Sequence, residues 1–167
     1  MRIVHGFSVF LADEAATQRA GQALAEVIAP GLSIWLIGDL GAGKTTLARA
    51  LIRALGHEGA VKSPTYALVE LYKVSRLYLY HFDFYRFNAP EEFVDAGFAE
   101  CFRPDSVCLV EWPDKAQDCL PPPDLCLRLA DENAGRRLFL SAGERPEGQQ
   151  CLNALNSRLS GSNVAVF

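Results

Sequence analysis

The chain has 167 residues, half of them apolar and 22% charged, with a formal net charge of −4. That is the make-up of a folded domain able to bury a core, expected as one unit over residues 1–167; it argues against disorder and against a free-standing nucleic-acid binder. The five cysteines are odd in number, no C-x-x-C pair occurs and the three histidines are scattered, so the reading is reduced, mostly buried thiols in a cytoplasmic protein rather than a disulfide framework or zinc site.

Ile3, Phe7, Val9 and Leu11 alternate as in a strand, and Asp13 and Glu14 follow too soon for a signal peptide. Asp13 is a good N-cap for a helix to about Ile28, with Ala16, Ala20, Leu24, Val27 and Ile28 as its buried stripe and Pro30-Gly31 as its stop. The longest uncharged apolar stretch, residues 27–38, contains that Pro-Gly pair and is shorter than the roughly 18 residues of a membrane span, so no membrane segment is expected. Within it, Ser33-Ile34-Trp35-Leu36-Ile37 reads as a buried parallel strand.

Gly38-Asp39-Leu40-Gly41-Ala42-Gly43-Lys44-Thr45 then fits G-x-x-x-x-G-K-[ST], and Leu47, Leu51 and Leu55 mark one face of a following helix closed by Gly56. Strand, glycine-rich turn and helix are the context a phosphate-binding P-loop needs. Gly41 and Gly43 let successive N–H groups converge on phosphate oxygens, and the helix N-terminus adds unpaired N–H groups and a positive dipole end. Lys44 would reach the β- and γ-phosphates of a nucleoside triphosphate, and the Thr45 hydroxyl would ligate Mg²⁺.

Lys62-Ser63-Pro64-Thr65 occupies the position of a switch loop ordered by a γ-phosphate, and equally suits a surface proline turn. Strands are expected over residues 67–72 and 77–82, joined loosely through 73–76. The aromatics Tyr78, Tyr80, Phe82, Phe84 and Tyr85 lie among Arg76, His81 and Arg86; on so acidic a chain a core strand is preferred to a nucleic-acid stacking surface. Pro90-Glu91-Glu92 opens a short helix, Val107-Cys108-Leu109-Val110 is a second buried strand, and Pro121-Pro122-Pro123 precedes two late strands at 125–129 and 137–141. Residues 149–159 suggest a terminal helix and 161–167 a loose tail or a partner contact. The fold class is α/β: a P-loop NTPase-like, mostly parallel sheet with antiparallel additions, flanked by helices.

A P-loop site needs a second acid for Mg²⁺, ordinarily at the end of a buried strand. Glu111 closes the more uniform strand and is assigned to the metal; Asp83 closes the other and is assigned to orient the attacking water or assist as base. Trp112 suits either a stacking role or the core, and His57 has no partner in sequence and is expected at the surface.

Taken together, these segments resemble the bacterial TsaE family (formerly YjeE). The matching pieces are Gly38 to Thr46, Val61-Lys62-Ser63-Pro64-Thr65-Tyr66, His81-Phe82-Asp83-Phe84-Tyr85-Arg86, Pro90-Glu91-Glu92, Val110-Glu111-Trp112-Pro113 and Leu120-Pro121, within about residues 13–140. The resemblance implies a small Mg²⁺-dependent ATPase needed for the threonylcarbamoyl modification on adenosine 37 of tRNA, acting through the TsaD and TsaB proteins and meeting tRNA indirectly. It implies ATP binding by Leu40, Gly41, Ala42, Gly43, Lys44, Thr45 and Thr46, and an acidic nucleotide contact at Glu14. It also implies Mg²⁺ on Thr45 and Glu111, a hydrolytic role for Asp83, a switch at Thr65 and a nucleotide neighbour in Trp112. Ala67, Ala50 and Phe87 depart from residues the family often has there. A slow basal rate is expected, because no evident arginine finger lies in cis; Arg86 is the nearest candidate. Arg128, Arg136 and Arg137 fall in late strands and form no arginine-rich cluster over the phosphates. The alternatives are a free-standing small-molecule kinase, for which no arginine-rich lid is seen, and a nucleotide-sensing scaffold.

Overall fold

The apolar run before the glycine turn is β2 (Ser33–Ile37), the middle of the parallel part of the sheet. It pairs in parallel with β5 (Ser106–Glu111) on one side and β6 (Leu125–Glu132) on the other. β5 also pairs in parallel with β4 (Leu77–Asp83). Antiparallel strands widen this centre: β3 (Val69–Val74) beyond β4, then β7 (Gly135–Ala142), β1 (Gly6–Leu11) and β8 (Ala165–Val166) beyond β6. The order is β3-β4-β5-β2-β6-β7-β1-β8, the expected parallel centre with antiparallel additions. The computed structural model describes residues 6–159 and the pair 165–166; Ile3 of the expected first strand and most of the expected tail lie outside the described residues.

The helices are α1 (Glu14–Val27), α2 (Lys44–Ala54), the short α3 (Glu92–Asp95) and α4 (Pro146–Leu159). α1 begins where expected, with the Asp13 carboxylate accepting from Ala16 N at 2.9 Å. α4 starts three residues earlier than expected because Pro146 suits a first helical turn. β3 starts two residues later: residues 65–67 form a turn, and Leu68, at φ 70°, donates its N–H to Pro64 O. β6 and β7 run longer than expected because Asn133 takes the left-handed conformation (φ 54°) that closes their hairpin.

Period-two alternation divides the core. Ile34 and Leu36, Val107 and Leu109, and Leu79 face a cluster completed by Leu24, Leu47, Leu51 and Leu155 of the helices. Cys108, Val110 and Phe82 face the other side, with Phe84, Phe87, Phe93 and Leu120. The aromatic strand is therefore core: Phe82 and Phe84 are fully buried, and Phe87, one of the family departures, stacks on Phe84 at 4.5 Å. Burial pushes the Cys108 thiol up to about 12 and that of Cys151 to about 11, which leaves both unreactive at neutral pH.

α1 and α2 cross closely because α1 carries Gly21 at the contact. The expected apolar stripe is thus completed by Gly21 and Thr17, while Val27 and Ile28 are only half-buried. A Cβ on Gly21 would meet Ala50 Cβ at 2.7 Å and Leu47 O at 2.8 Å, so glycine here accommodates the alanine on α2. Gly21→Ala gains about 1 kcal/mol of helix propensity but forces the helices apart, which costs about 1–3 kcal/mol. Thermal denaturation of that variant should show a lowered Tm; an unchanged or raised Tm would mean that the crossing is not tight.

Candidate functional site

Parallel pairing brings three strand ends to one level. Leu36 of β2 is opposite Glu111 of β5, and Glu111 is opposite Asp83 of β4. In such sheets ligands bind outside the carboxyl ends of the strands, and the glycine turn leaves β2 at that end. Gly38, Gly41 and Gly43 all have positive φ (157°, 80° and 104°). Gly38 has a second constraint, since a Cβ there would meet Leu129 O of β6 at 2.7 Å. Gly43 sits at the N-cap of α2, and no side chain caps the helix, so its first N–H groups remain for another acceptor.

Leu40, Gly41, Gly43, Lys44, Thr45, Thr46, Thr65, Asp83, Glu111 and Trp112 line one cavity of about 230 Å³. Ala42 instead borders a larger neighbouring cavity of about 580 Å³, with Gly38, Asp39, Trp112, Arg128 and Asp131. The smaller cavity holds the chemistry-bearing groups. Glu14, the acidic contact implied by family resemblance, stands apart on the exposed side of α1. It lines a groove between α1 and α2 shared with Thr46 and Arg49.

Lys44 is buried, and its ammonium donates to Gly38 O and lies 3.9 Å from the centre of the Trp112 ring. Burial holds its pKa below the ordinary lysine value, against the opposing pull of Glu111 and Asp83. Trp112 reaches this position because its backbone turns left-handed (φ 57°, ψ 51°) immediately after Glu111. Asp83 accepts from Tyr85 N at 2.9 Å through Oδ1 and from the Thr65 hydroxyl at 3.4 Å through Oδ2. Thr65 is 2.7 Å from the Ser63 hydroxyl, so the loop at 63–65 is tied to the acid that closes β4. Burial raises the Asp83 pKa, opposed by the Tyr85 N–H. Glu111 is buried and meets His81 Nε2 at 2.6 Å.

Arg136 is the residue that sequence reading missed. Its Nη2 donates to Gly41 O at 2.8 Å, and a Cβ on Gly43 would lie 3.7 Å from its side chain. β6 runs parallel to β2 and continues beyond it, so the β6–β7 hairpin returns over the glycine turn. Only this topology, not the local sequence, announces the contact. Arg86 is exposed, with its guanidinium 4.2 Å from the Tyr66 ring, and does not line the cavity. His57 is half-buried rather than superficial, packed edge-on against Tyr72 at 4.8 Å.

Strand, glycine turn and uncapped helix, with acids closing two further parallel strands, define an α/β protein of the P-loop NTPase-like class. The family model for threonylcarbamoyl adenosine biosynthesis protein TsaE matches residues 11–139, and the chain belongs to that family. It is 41% identical over 138 residues to the tRNA threonylcarbamoyladenosine biosynthesis protein TsaE of Haemophilus influenzae, covering 80% of this chain and 87% of that protein. The Bacillus subtilis protein of the same name is 38% identical over 120 residues, covering 71% and 75%. The crystal structure of Bacillus subtilis YdiB superposes with a TM-score of 0.78 at 26% identity, covering 95% of this chain and 99% of that one.

An acid whose pKa is higher folded than unfolded contributes stability below its unfolded value and loses it as pH rises through the folded one. For Asp83 the direction is upward, so ionisation there costs stability at neutral pH. Asp83→Asn removes the charge and keeps the shape; its Tm should exceed that of the unsubstituted chain by a few degrees at pH 7. The gain should fade as the pH drops through the raised folded value and be gone below the ordinary carboxylate value of about 4. Thermal melts at both pH values measure it, and a lower Tm at pH 7 would show the carboxylate to be fully compensated.

Proposed function

We propose that this chain binds ATP with Mg²⁺ and hydrolyses it slowly, as a cytoplasmic accessory subunit in forming threonylcarbamoyladenosine on tRNA. The observation that carries the reading is the meeting of Lys44, Thr45, Thr65, Asp83 and Glu111 around one cavity at an uncapped helix N-terminus. Membership of the TsaE family supports the tRNA pathway, and TsaD and TsaB are the proposed partners. No helix among the described residues is long and apolar enough to cross a membrane.

The residues suit the ligand. Mg²⁺ is a hard cation that takes oxygen donors, and the Thr45 hydroxyl and Glu111 carboxylate offer them from the cavity wall. When bound, Mg²⁺ and the triphosphate supply charge neutralisation and the phosphoryl group to be transferred. The N–H groups of the glycine turn and the first turn of α2 bind phosphate oxygens. Lys44 exchanges Gly38 O and the Trp112 ring for an anion, which suits an ammonium that burial has left poorly solvated. Asp83 holds the attacking water, and its raised pKa fits it to take a proton. Thr65, joined to Asp83 in a weak contact, is the group that leaves or returns as the phosphate site fills. Arg136 holds the turn through Gly41 and adds positive charge beside it. Glu14, outside the cavity in the α1–α2 groove that Thr46 also lines, is the proposed acidic contact for a more distant part of the nucleotide.

Steady-state ATPase assays of the purified chain, alone and with TsaD and TsaB, test the proposal. A slow rate that changes when the partners are added is expected. Lys44→Ala should abolish that rate and weaken ATP binding by at least about tenfold, roughly 1.4 kcal/mol. Tight ATP binding by Lys44→Ala would sink the P-loop assignment, and a fast rate for the isolated chain would count against partner control.

A further inference from the structure

We propose that His81 is a positioning residue for Glu111: it takes one carboxylate oxygen and so fixes the other for the metal. The inference rests on the proposed Mg²⁺–nucleotide reading and deepens it.

His81 lies on β4 two residues before Asp83, on the same face of the sheet. In the β4–β5 register His81 is opposite Leu109 and Asp83 is opposite Glu111, so His81 and Glu111 are diagonal neighbours. His81 is fully buried and Glu111 nearly so, and Nε2 lies 2.6 Å from Oε2. With Glu111 a carboxylate, the proton belongs to Nε2, which donates. Nδ1 has no partner among the described residues. A neutral ring with its proton on Nε2 leaves only an acceptor unmet, whereas a proton on Nδ1 would bury an unpaired donor. The surroundings therefore select the tautomer that serves Glu111.

The need for such a group follows from the cavity. Glutamate has three rotatable bonds, and the last is broad; a carboxylate with Lys44 in the same 230 Å³ would be drawn to that ammonium. Yet among the described residues no ion pair joins Lys44 to Glu111. Glu111 is held by His81, and Lys44 by Gly38 O and Trp112. His81 thereby keeps the acid and the base of the site apart, leaving one oxygen of Glu111 for the metal or its water and Lys44 for phosphate. Partners of this kind behind metal ligands orient them and raise metal affinity.

The test compares the unsubstituted chain with His81→Gln and His81→Asn by calorimetric titration of ADP, with and without Mg²⁺. The glutamine amide reaches about as far as Nε2 and can donate to Glu111; the asparagine amide falls near Nδ1 and cannot. Asn should lose about tenfold or more of the affinity gained on adding Mg²⁺, keep its affinity for metal-free ADP, and be rescued by Gln. Both are buried amides, so a merely structural role would not separate them in a metal-dependent way. An Asn variant with unchanged Mg²⁺ dependence, or an equal loss without metal, overturns the role of His81. If Asn does not fold, Gln decides: a folded Gln variant without Mg²⁺-enhanced binding overturns it too. An unsubstituted chain whose ADP binding ignores Mg²⁺ overturns the nucleotide–metal reading as well, which keeps the two failures distinguishable.

Discussion

The site depends on the parallel register that sets the ends of β2, β5 and β4 at one height. Leu36, Glu111 and Asp83 occupy successive cross-strand positions, so a turn leaving β2 necessarily passes the two acids. A slip of one residue in either pairing would invert the alternation and send the acid of that strand into the opposite core. That error is heavily penalised, because the two sides of the sheet hold different residues: aliphatic groups against the helices and phenylalanines on the far side. The hydrophobic pattern that folds the sheet is thus also what aligns the acids.

The alignment carries an electrostatic cost that the surroundings offset unevenly. Lys44, Asp83 and Glu111 are all buried, and a buried ion needs compensation. Glu111 has His81. Lys44 has a carbonyl and an aromatic face, weaker partners than a carboxylate, and its pKa is depressed accordingly. Asp83 has one backbone N–H and a long hydroxyl contact, and its pKa is raised. The two groups left least satisfied are those the proposed chemistry asks to meet phosphate and water. Under that reading their deficit favours the ligand, at the expense of the empty protein's stability.

Much of this was legible in the sequence, and for definite reasons. The glycine turn is contiguous, and its apolar flanks fixed it as strand, turn and helix. Glu111 and Asp83 were visible because each is a carboxylate closing an apolar run. What the sequence hid depends on distance along the chain. Arg136 reaches Gly41 only because β6 runs beside β2, which joins two residues 95 positions apart in the chain. His81 looked like one more polar residue in an aromatic strand until β4 and β5 were set in register. The close α1–α2 crossing at Gly21 was missed because glycine carries no hydrophobic signal, although here its lack of a side chain is what shapes the contact.

The two halves of the site differ in how firmly they are built, and this bears on the proposed coupling. Asp83 and Glu111 close strands backed by both cores, and the Glu111 carbonyl is further tied by Phe84 N at 3.1 Å. Opposite them, Thr65 sits in a turn beside Tyr66, which is 81% exposed, and Leu40 at the tip of the glycine turn is 66% exposed. Thr65 itself meets Asp83 only through a 3.4 Å side-chain bond, and the loop backbone reaches that strand end through Leu68, which donates to Pro64 O and accepts from Asp83 N. A phosphate entering between the halves would therefore meet fixed acids on one side and a readily displaced loop on the other. Displacement should concentrate in residues 63–66, since moving either strand end would disturb a buried aromatic or aliphatic cluster. The same loop carries the most exposed aromatic side chain near the cavity, so a change in nucleotide state there would reach the surface within one residue of Thr65.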